Sequence, residues 1–300
     1  MTQTLTRKQF DILETIVTHK TTLSQRQIEE LTGISLGSVN RTMKELTDLG
    51  FISEGTITTD GVNALEPYRA KRAVFIAAGF GTRMVPLTFN TPKPLIRVHG
   101  KRIIDGLIDA CLEAGINDIY IVRGYLSEQF DQLLYKYPMI KFLENSAYND
   151  ANNISSAMAA RYMLSNAYVL EADIVISNPS IIRKYHYCSD MIGIKTNRTD
   201  DWCVVVKDGI IQEQKVGGEG ENIWRLYGIS YWNETDGHKL SNDIFEVYQS
   251  PGGKERYWDQ VPLHFCKKNY QVEIRDAKEE DIVEIDSFKE LKAIDKTYDV

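Results

Sequence analysis

Apolar residues recur at helical spacing along the first fifty positions: Phe10, Ile12, Leu13, Ile16 and Val17, then Ile28 and Leu31, then Val39, Met43, Leu46 and Leu49. That periodicity predicts three amphipathic helices. Thr6 followed by Gln9, and Ser24 followed by Gln27, fit the pattern in which a hydroxyl and an amide three residues later cap each other's backbone N–H groups. Thr32-Gly33-Ile34-Ser35 makes a tight turn before the third helix, and Ile57-Thr58-Thr59-Asp60-Gly61 reads as a short hairpin. From residue 72 the pattern changes to short apolar runs alternating with helical periods. Strands are predicted over 73–78, 118–122, 140–143 and 167–170, with helices over 103–114, 126–135 and from Asn152 to Leu164 between them. Antiparallel pairs follow, 203–207 with 210–215 across Asp208-Gly209, then 226–232. A last strand over 282–285 leads into a helix capped by Ser287 with Glu290. The alternation predicts an α/β fold, a mixed, mainly parallel sheet flanked by helices over 71–300, preceded by a small helical domain over 1–70.

The first of those strands ends abruptly in Gly79-Phe80-Gly81-Thr82-Arg83. Glycines after a buried strand let backbone N–H groups approach an anion, because no Cβ intervenes. Arg83 and Lys93 add two cations on a segment stiffened by Pro86, Pro92 and Pro94, an arrangement suited to a triphosphate. The loop lacks the Gly-Lys-Ser/Thr ending of a P-loop and the third glycine of the dinucleotide fingerprint, where Met84 and Val85 stand instead. Asp173 lies just past the end of the strand over 167–170, where ligands sit in open α/β sheets.

Composition narrows the setting. The 300 residues carry a net charge of −7, with 43% hydrophobic and 26% charged positions, as in ordinary globular proteins. Residues 1–72 hold nine Lys/Arg and nine Asp/Glu, so the whole −7 falls on 73–300. That balance disfavours wholesale binding to nucleic acid or anionic lipid without excluding a local site. Cys111, Cys188, Cys203 and Cys266 are scattered and read as reduced thiols. The first residues lack the apolar core of a signal peptide, and no apolar run approaches membrane-spanning length, so the expected compartment is the cytoplasm and no membrane partner is expected.

Gly-x-Gly-x-Arg followed by Thr91-Pro92-Lys93-Pro94-Leu95 resembles the signature of the nucleotidyltransferases that make nucleoside-diphosphate sugars and alcohols, with a Rossmann-like fold. The three helices, glycine turn and hairpin of 1–70 resemble a winged helix-turn-helix. In that fold the third helix enters the major groove. Ser38, Arg41 and Lys44, with Ser35 and Asn40, would face DNA, against the alternative of a dimerisation or docking unit. From residue 73 to about 292 the chain is similar to the bacterial phosphocholine cytidylyltransferases, on Gly115-Ile116-Asn117-Asp118-Ile119, 124–130, Asn152-Asn153, Asp201-Trp202, Tyr257-Trp258-Asp259 and Glu284-Ile285-Asp286-Ser287.

The resemblance implies CTP as nucleotide donor and Mg²⁺ as cofactor, held by Asp173 and Asp286. Ala78, Gly79, Gly81, Thr82 and Arg83 would hold the phosphates, and Lys93 would bridge the α-phosphate and the incoming phosphate, making Lys93, Arg83 and Asp173 the catalytic set. Asn152, Asn153 and Ser155 would hold base and ribose, or else serve only as a polar helix cap. Trp202, Tyr257 and Trp258 with Asp259 would cage an ammonium, and Lys195 would add a phosphate contact; an aromatic-rich core is the competing reading of those rings. Phosphocholine is the expected acceptor. Phosphoethanolamine or 2-aminoethylphosphonate are the related alternatives, and a CTP-sensing transcription regulator is the reading from a different class. DNA is a candidate partner, and a homodimer is left open.

Overall fold

The computed structural model describes residues 4–19 and 22–299, so Met1-Thr2-Gln3, the first residues of the stretch read as lacking a signal-peptide core, lie outside them. Two compact units emerge, one of residues 1–69 with 185–187, the other of residues 70–184 and 188–300.

In the first unit, helices Arg7–His19, Gln25–Thr32 and Leu36–Asp48 pack around Phe10, Leu13, Ile28, Val39 and Leu46. Both capping pairs form: Thr6 N–H donates to Gln9 Oε1 at 3.0 Å, and Ser24 N–H to Gln27 Oε1 at 2.9 Å. Leu31 and Leu49, assigned to the apolar faces, are instead exposed, because the three-helix core closes one turn earlier. The hairpin also differs from expectation. Strands Ile52–Ser53 and Thr56–Ile57 pair across Glu54-Gly55, both with positive φ, while Thr58 accepts from Gly61 N–H and caps a helix, Thr59–Leu65. Gly61 is needed inside that helix, since a Cβ there would lie 2.3 Å from the Phe51 carbonyl oxygen.

In the second unit, a seven-stranded sheet runs in the order 190–207, 273–276, 210–232, 167–171, 72–76, 118–123, 141–144. The four strands Ala167–Glu171, Arg72–Ile76, Asp118–Arg123 and Lys141–Glu144 are mutually parallel. Alternation along Arg72–Ile76 sends Ala73 and Phe75 to one face and Val74 and Ile76 to the other. Helix Ile103–Glu113 covers the first face through Ile104, Leu107 and Ile108; Ile154–Ala160 and Glu234–Gln249 cover the second. Asp208 and Gly209 both take positive φ in the predicted hairpin turn.

The hairpin's arms extend far beyond the apolar runs, Asp190–Lys207 against Ile210–Trp232, through several register shifts. Of the added stretches, Met191, Ile192 and Ile194 are buried in the core, while residues 195–201 and 217–222 are mostly polar and held in extended form by ladder hydrogen bonds. Segment Ser127–Tyr135 is a 3₁₀-helix entered through Leu126 at φ 49°, and the helix from Asn153 is α-helical only over Ile154–Ala160. All four cysteines are free, and no helix among the described residues is long and apolar enough to cross a membrane.

Candidate active site

A cavity of about 640 Å³ opens at the C-terminal ends of Arg72–Ile76 and Ala167–Glu171. Its floor is the glycine loop. Gly81 adopts φ 62°, ψ 38°, and a Cβ there would sit 3.0 Å from both Lys93 Cβ and Thr88 Cγ2. Glycine therefore serves twice, for the left-handed backbone and for the close passage of the Lys93 segment. Thr88 Oγ1 donates to the Gly81 carbonyl at 2.9 Å, and Tyr125 OH donates to the Thr88 carbonyl at 2.8 Å, pinning the loop. Gly79, Gly81, Thr82 and Arg83 line the cavity; Ala78 sits behind them, its carbonyl accepting from Tyr125 N–H.

Above the loop, four charges interlock. Lys93 Nζ donates to Asp173 Oδ2 at 2.8 Å and to Asp286 Oδ1 at 3.2 Å. Arg83 grips both oxygens of Asp286 at 2.8 Å each, a bidentate pair. Burial is the largest single influence on Lys93 and pulls its pKa down, but Asp173 and then Asp286 outweigh it, and the net shift is upward. Residues 80 and 193 positions apart from Lys93 thus meet at its ammonium group. They are brought together by the pairing of Ile174–Ile176 with Ile282–Glu284, extended by the Ile285 N–H bond to the Asp173 carbonyl at 3.1 Å.

Two further carboxylates join this cluster. Glu171, Asp173 and Glu284 each offer an oxygen within 4.8 Å of the others. Burial, then the charge of Asp173, pushes Glu171 well above the usual carboxylate range, and the same two causes lift Glu284 to about 8. Gly228 makes room for Glu171, since a Cβ there would lie 2.5 Å from Glu171 Cγ. The Asp173 Oδ1 atom is buried without a hydrogen-bond partner. An all-oxygen donor set, an unpaired carboxylate oxygen and carboxyls held against their own repulsion fit a hard divalent cation. Asp286 stands outside this trio, its oxygens engaged by Arg83 and Lys93. Sequence reading missed Glu171 and Glu284, although each lies two residues before a nominated aspartate.

The remaining nominated residues separate. Asn153 lines the cavity, donates to Glu171 Oε1 at 3.2 Å and accepts from Trp258 N–H at 2.9 Å. Asn152 and Ser155 do not reach it. Asn152 Oδ1 accepts from Asn153 N–H, and buried Ser155 donates to the Asn152 carbonyl while accepting from Asn145, so both serve the helix start. Trp202 and Tyr257 meet edge-on at 5.5 Å between ring centroids and line the cavity with Asp200, Asp201 and Asp259. Trp258 borders it too but is 1% exposed, packed edge-on against Trp232 in the core. Burial raises Asp259 to about 6, opposed first by a 2.6 Å hydrogen bond from Gln214 Nε2. Lys195 is exposed on its strand and does not line the cavity.

In the first unit, Arg41 and Lys44 are exposed on Leu36–Asp48, as is Asn40, while Ser38 is half-buried and accepts from Lys8 Nζ at 3.4 Å.

Residues 72–192 match the nucleotidyl transferase family, and residues 3–61 match the MarR family. A 2-aminoethylphosphonate cytidylyltransferase of Lancefieldella rimae is 36% identical over 230 residues, 75% of this chain and 92% of the relative. A choline-phosphate cytidylyltransferase of Streptococcus pneumoniae is 32% identical over 226 residues, 75% of this chain and 97% of the relative. The solved CTP:phosphocholine cytidylyltransferase of Streptococcus pneumoniae superposes with a TM-score of 0.69 at 32% identity, covering 76% of this chain and 99% of that one. The fold is thus that of the nucleotidyltransferases, with a MarR-type winged helix-turn-helix ahead of it.

Proposed function

The chain belongs to the nucleotidyl transferase family, among the cytidylyltransferases, and on that premise we propose that it transfers CMP from CTP to a small phosphate or phosphonate bearing an ammonium group, releasing pyrophosphate. The observation that carries this reading is Lys93 held between Asp173 and Asp286 beside the glycine loop, with Arg83 on the same aspartate. A regulator that only senses CTP has no need for that cluster of cations and carboxylates.

The chemistry follows from charge. The acceptor's own phosphate or phosphonate oxygen attacks the α-phosphorus, the bond to the bridging oxygen breaks, and pyrophosphate leaves in line with the attack. The acceptor is already an anionic nucleophile, so no general base and no covalent enzyme intermediate are required. Catalysis rests on positioning and on neutralising charge. Backbone N–H groups of Gly79, Gly81 and Thr82, with Arg83, hold the β- and γ-phosphates. Lys93 sits between the α-phosphate and the incoming oxygen and stabilises the charge that both carry. Asn153 and the glycine loop orient the nucleoside end. Glu171, Asp173 and Glu284 would hold Mg²⁺, which when bound supplies Lewis-acid neutralisation of the α-phosphate and pyrophosphate.

Phosphocholine is the acceptor supported by Trp202 and Tyr257, whose faces suit a trimethylammonium beside Asp259. A second reading, 2-aminoethylphosphonate, has its own support. Trp258 is committed to the core against Trp232, which thins the aromatic cage, while Asp200, Asp201 and Asp259 offer acceptors to a primary ammonium. Pyrophosphate release with CTP and a panel of phosphocholine, phosphoethanolamine, 2-aminoethylphosphonate and sugar 1-phosphates decides between them. Turnover of sugar phosphates alone overturns the ammonium assignment.

For residues 1–70 the proposed role is DNA binding, with Arg41 and Lys44 on phosphates and Ser38 near base edges, the transferase domain spanning 71–300. The MarR match and the exposure of Arg41 and Lys44 on the third helix support it.

A further inference from the structure

Gln214 lies on strand Ile210–Trp232 opposite Val204, in a stretch whose inward positions feed an apolar layer through Val204 and Ile211. It is 7% exposed. The alternation calls for an aliphatic residue there, and a buried amide without full hydrogen bonding is destabilising. Its carbonyl oxygen, Oε1, has no hydrogen-bond partner. The polar contact it does make runs from Nε2 to Asp259 Oδ2 at 2.6 Å, across 45 residues of chain. An ionised carboxylate only accepts hydrogen bonds, so the amide is fixed with its nitrogen toward Asp259.

We propose that Gln214 is a positioning residue of the acceptor subsite, holding the Asp259 carboxylate in the orientation in which it receives the substrate's ammonium. This rests on the ammonium reading given above. Asp259 follows Tyr257 and Trp258 on the segment that forms one wall of the cavity, and Gln214 ties that wall to the long hairpin. This donor is the largest influence offsetting the burial of the Asp259 charge, ahead of the backbone N–H groups of Asp259 and Gln260. The charged groups around it are carboxylates: Glu171, whose own titration feels Asp259, and Asp200 and Asp201 on the same cavity. Arg83 and Lys93 line the cavity as well but are engaged with Asp286 and Asp173. Gln214 therefore supports both the direction and the ionisation of the group that selects the acceptor, and it does so without touching the acceptor.

The test uses the full chain carrying Gln214→Met, which keeps length and volume and removes the donor. Initial rates are measured from pH 5.5 to 8 with CTP, with whichever ammonium-bearing acceptor the wild type prefers, and with 3,3-dimethylbutyl phosphate as a neutral isostere of phosphocholine. The expected result is a roughly tenfold rise in KM for the ammonium-bearing acceptor, the scale of one lost charged hydrogen bond. Its acid limb moves to higher pH, while KM for CTP, kcat and the rate with the neutral isostere change less than twofold. Gln214→Asn, which withdraws the amide by one methylene, should behave the same way and decides the matter if the methionine variant misfolds. In an Asp259→Asn background, Gln214→Met should add nothing further. An unchanged acceptor KM and acid limb, or an equal rise in KM for CTP, overturns the proposal. A wild type that does not prefer the ammonium-bearing acceptor to the neutral isostere overturns the ammonium reading itself, and the two failures are told apart by the unsubstituted enzyme alone.

Discussion

Replacing Lys93 with methionine removes one positive charge and leaves the stem's volume nearly unchanged. In the structure the lysine side chain is 10% exposed and its ammonium donates to two carboxylates, at 2.8 and 3.2 Å. Losing one partner of a well-buried ion pair costs about 3–5 kcal/mol. Asp173 and Asp286 keep 21% and 31% of their side-chain exposure, so water recovers part of that, and the expected loss of stability is about 2–3 kcal/mol. Thermal unfolding should then shift down by roughly 5–10 °C. Turnover should suffer far more. An ammonium aimed at charge developing on two phosphate groups contributes at least as much as one oxyanion-hole donor, so kcat should fall by about 10²–10³ or more. The assay pairs pyrophosphate release with thermal unfolding of the same preparation. A folded Lys93→Met enzyme within tenfold of wild-type kcat refutes the placement of Lys93 on the reacting phosphates. A loss of activity no larger than the unfolded fraction at the assay temperature refutes it equally.

Four further outcomes are expected. Asp173→Asn should abolish turnover and also abolish the extra rise in unfolding temperature expected when Mg²⁺ is added to the wild type with CTP; an active, folded variant contradicts the metal role. Asp259 titrates at about 6, above its unfolded value, so its protonated form favours folding and that contribution is lost as pH rises through 6. Asp259→Asn should therefore raise the melting temperature at pH 7 while weakening acceptor binding, and in the wild type the acceptor's KM should rise about tenfold per pH unit below 6; a flat acceptor KM between pH 5 and 7 counts against Asp259 as the ammonium's partner. Gly81→Ala forces a side chain into φ 62° and onto Lys93 Cβ and Thr88 Cγ2, so it should destabilise by about 1–2 kcal/mol and lower kcat, read by chemical denaturation and initial rates. Arg41→Ala and Lys44→Ala should each reduce the slope of log affinity against log salt by about 0.9 in a DNA gel-shift series; unchanged slopes leave the first unit without a DNA-binding role on that helix.

The parts of the site legible in sequence are those written in contiguous motifs. Gly79 to Arg83 and Thr91 to Leu95 announce a phosphate loop because glycine, arginine, proline and lysine have few other reasons to occur at that spacing. Asp173 and Asp286 follow apolar strands and so stand out. Glu171 and Glu284 do not, because one glutamate at a strand end reads as a solvated edge; only the pairing of Ile174–Ile176 with Ile282–Glu284 brings the two together. Asn152, Asn153 and Ser155 look equivalent in the chain, and the turn alone decides that Asn153 faces the cavity. A phosphate contact from Lys195 does not form, because the strand's alternation buries Ile194 and turns Lys195 outward. Helix Glu234–Gln249 escaped because its buried positions include few large apolar residues, Leu240, Ile244 and Val247, among many polar ones. The polar middle of the long hairpin escaped because it is held by backbone pairing, which leaves no periodic mark, whereas the buried run Met191, Ile192 and Ile194 is too short to stand out.

The interlocked quartet of Arg83, Lys93, Asp173 and Asp286 also bears on the order in which reactants load. A bare nucleotide arriving alone must pull the basic groups off their acidic partners and strand those partners; a bare ion arriving alone does the reverse. Arriving together, nucleotide and ion would let Arg83, Lys93 and Asp173 each trade one opposite charge for another. On the proposed reaction the resting protein is then expected to hold each half of the reactant pair weakly and the pair strongly, each half tightening the grip on the other by the same factor.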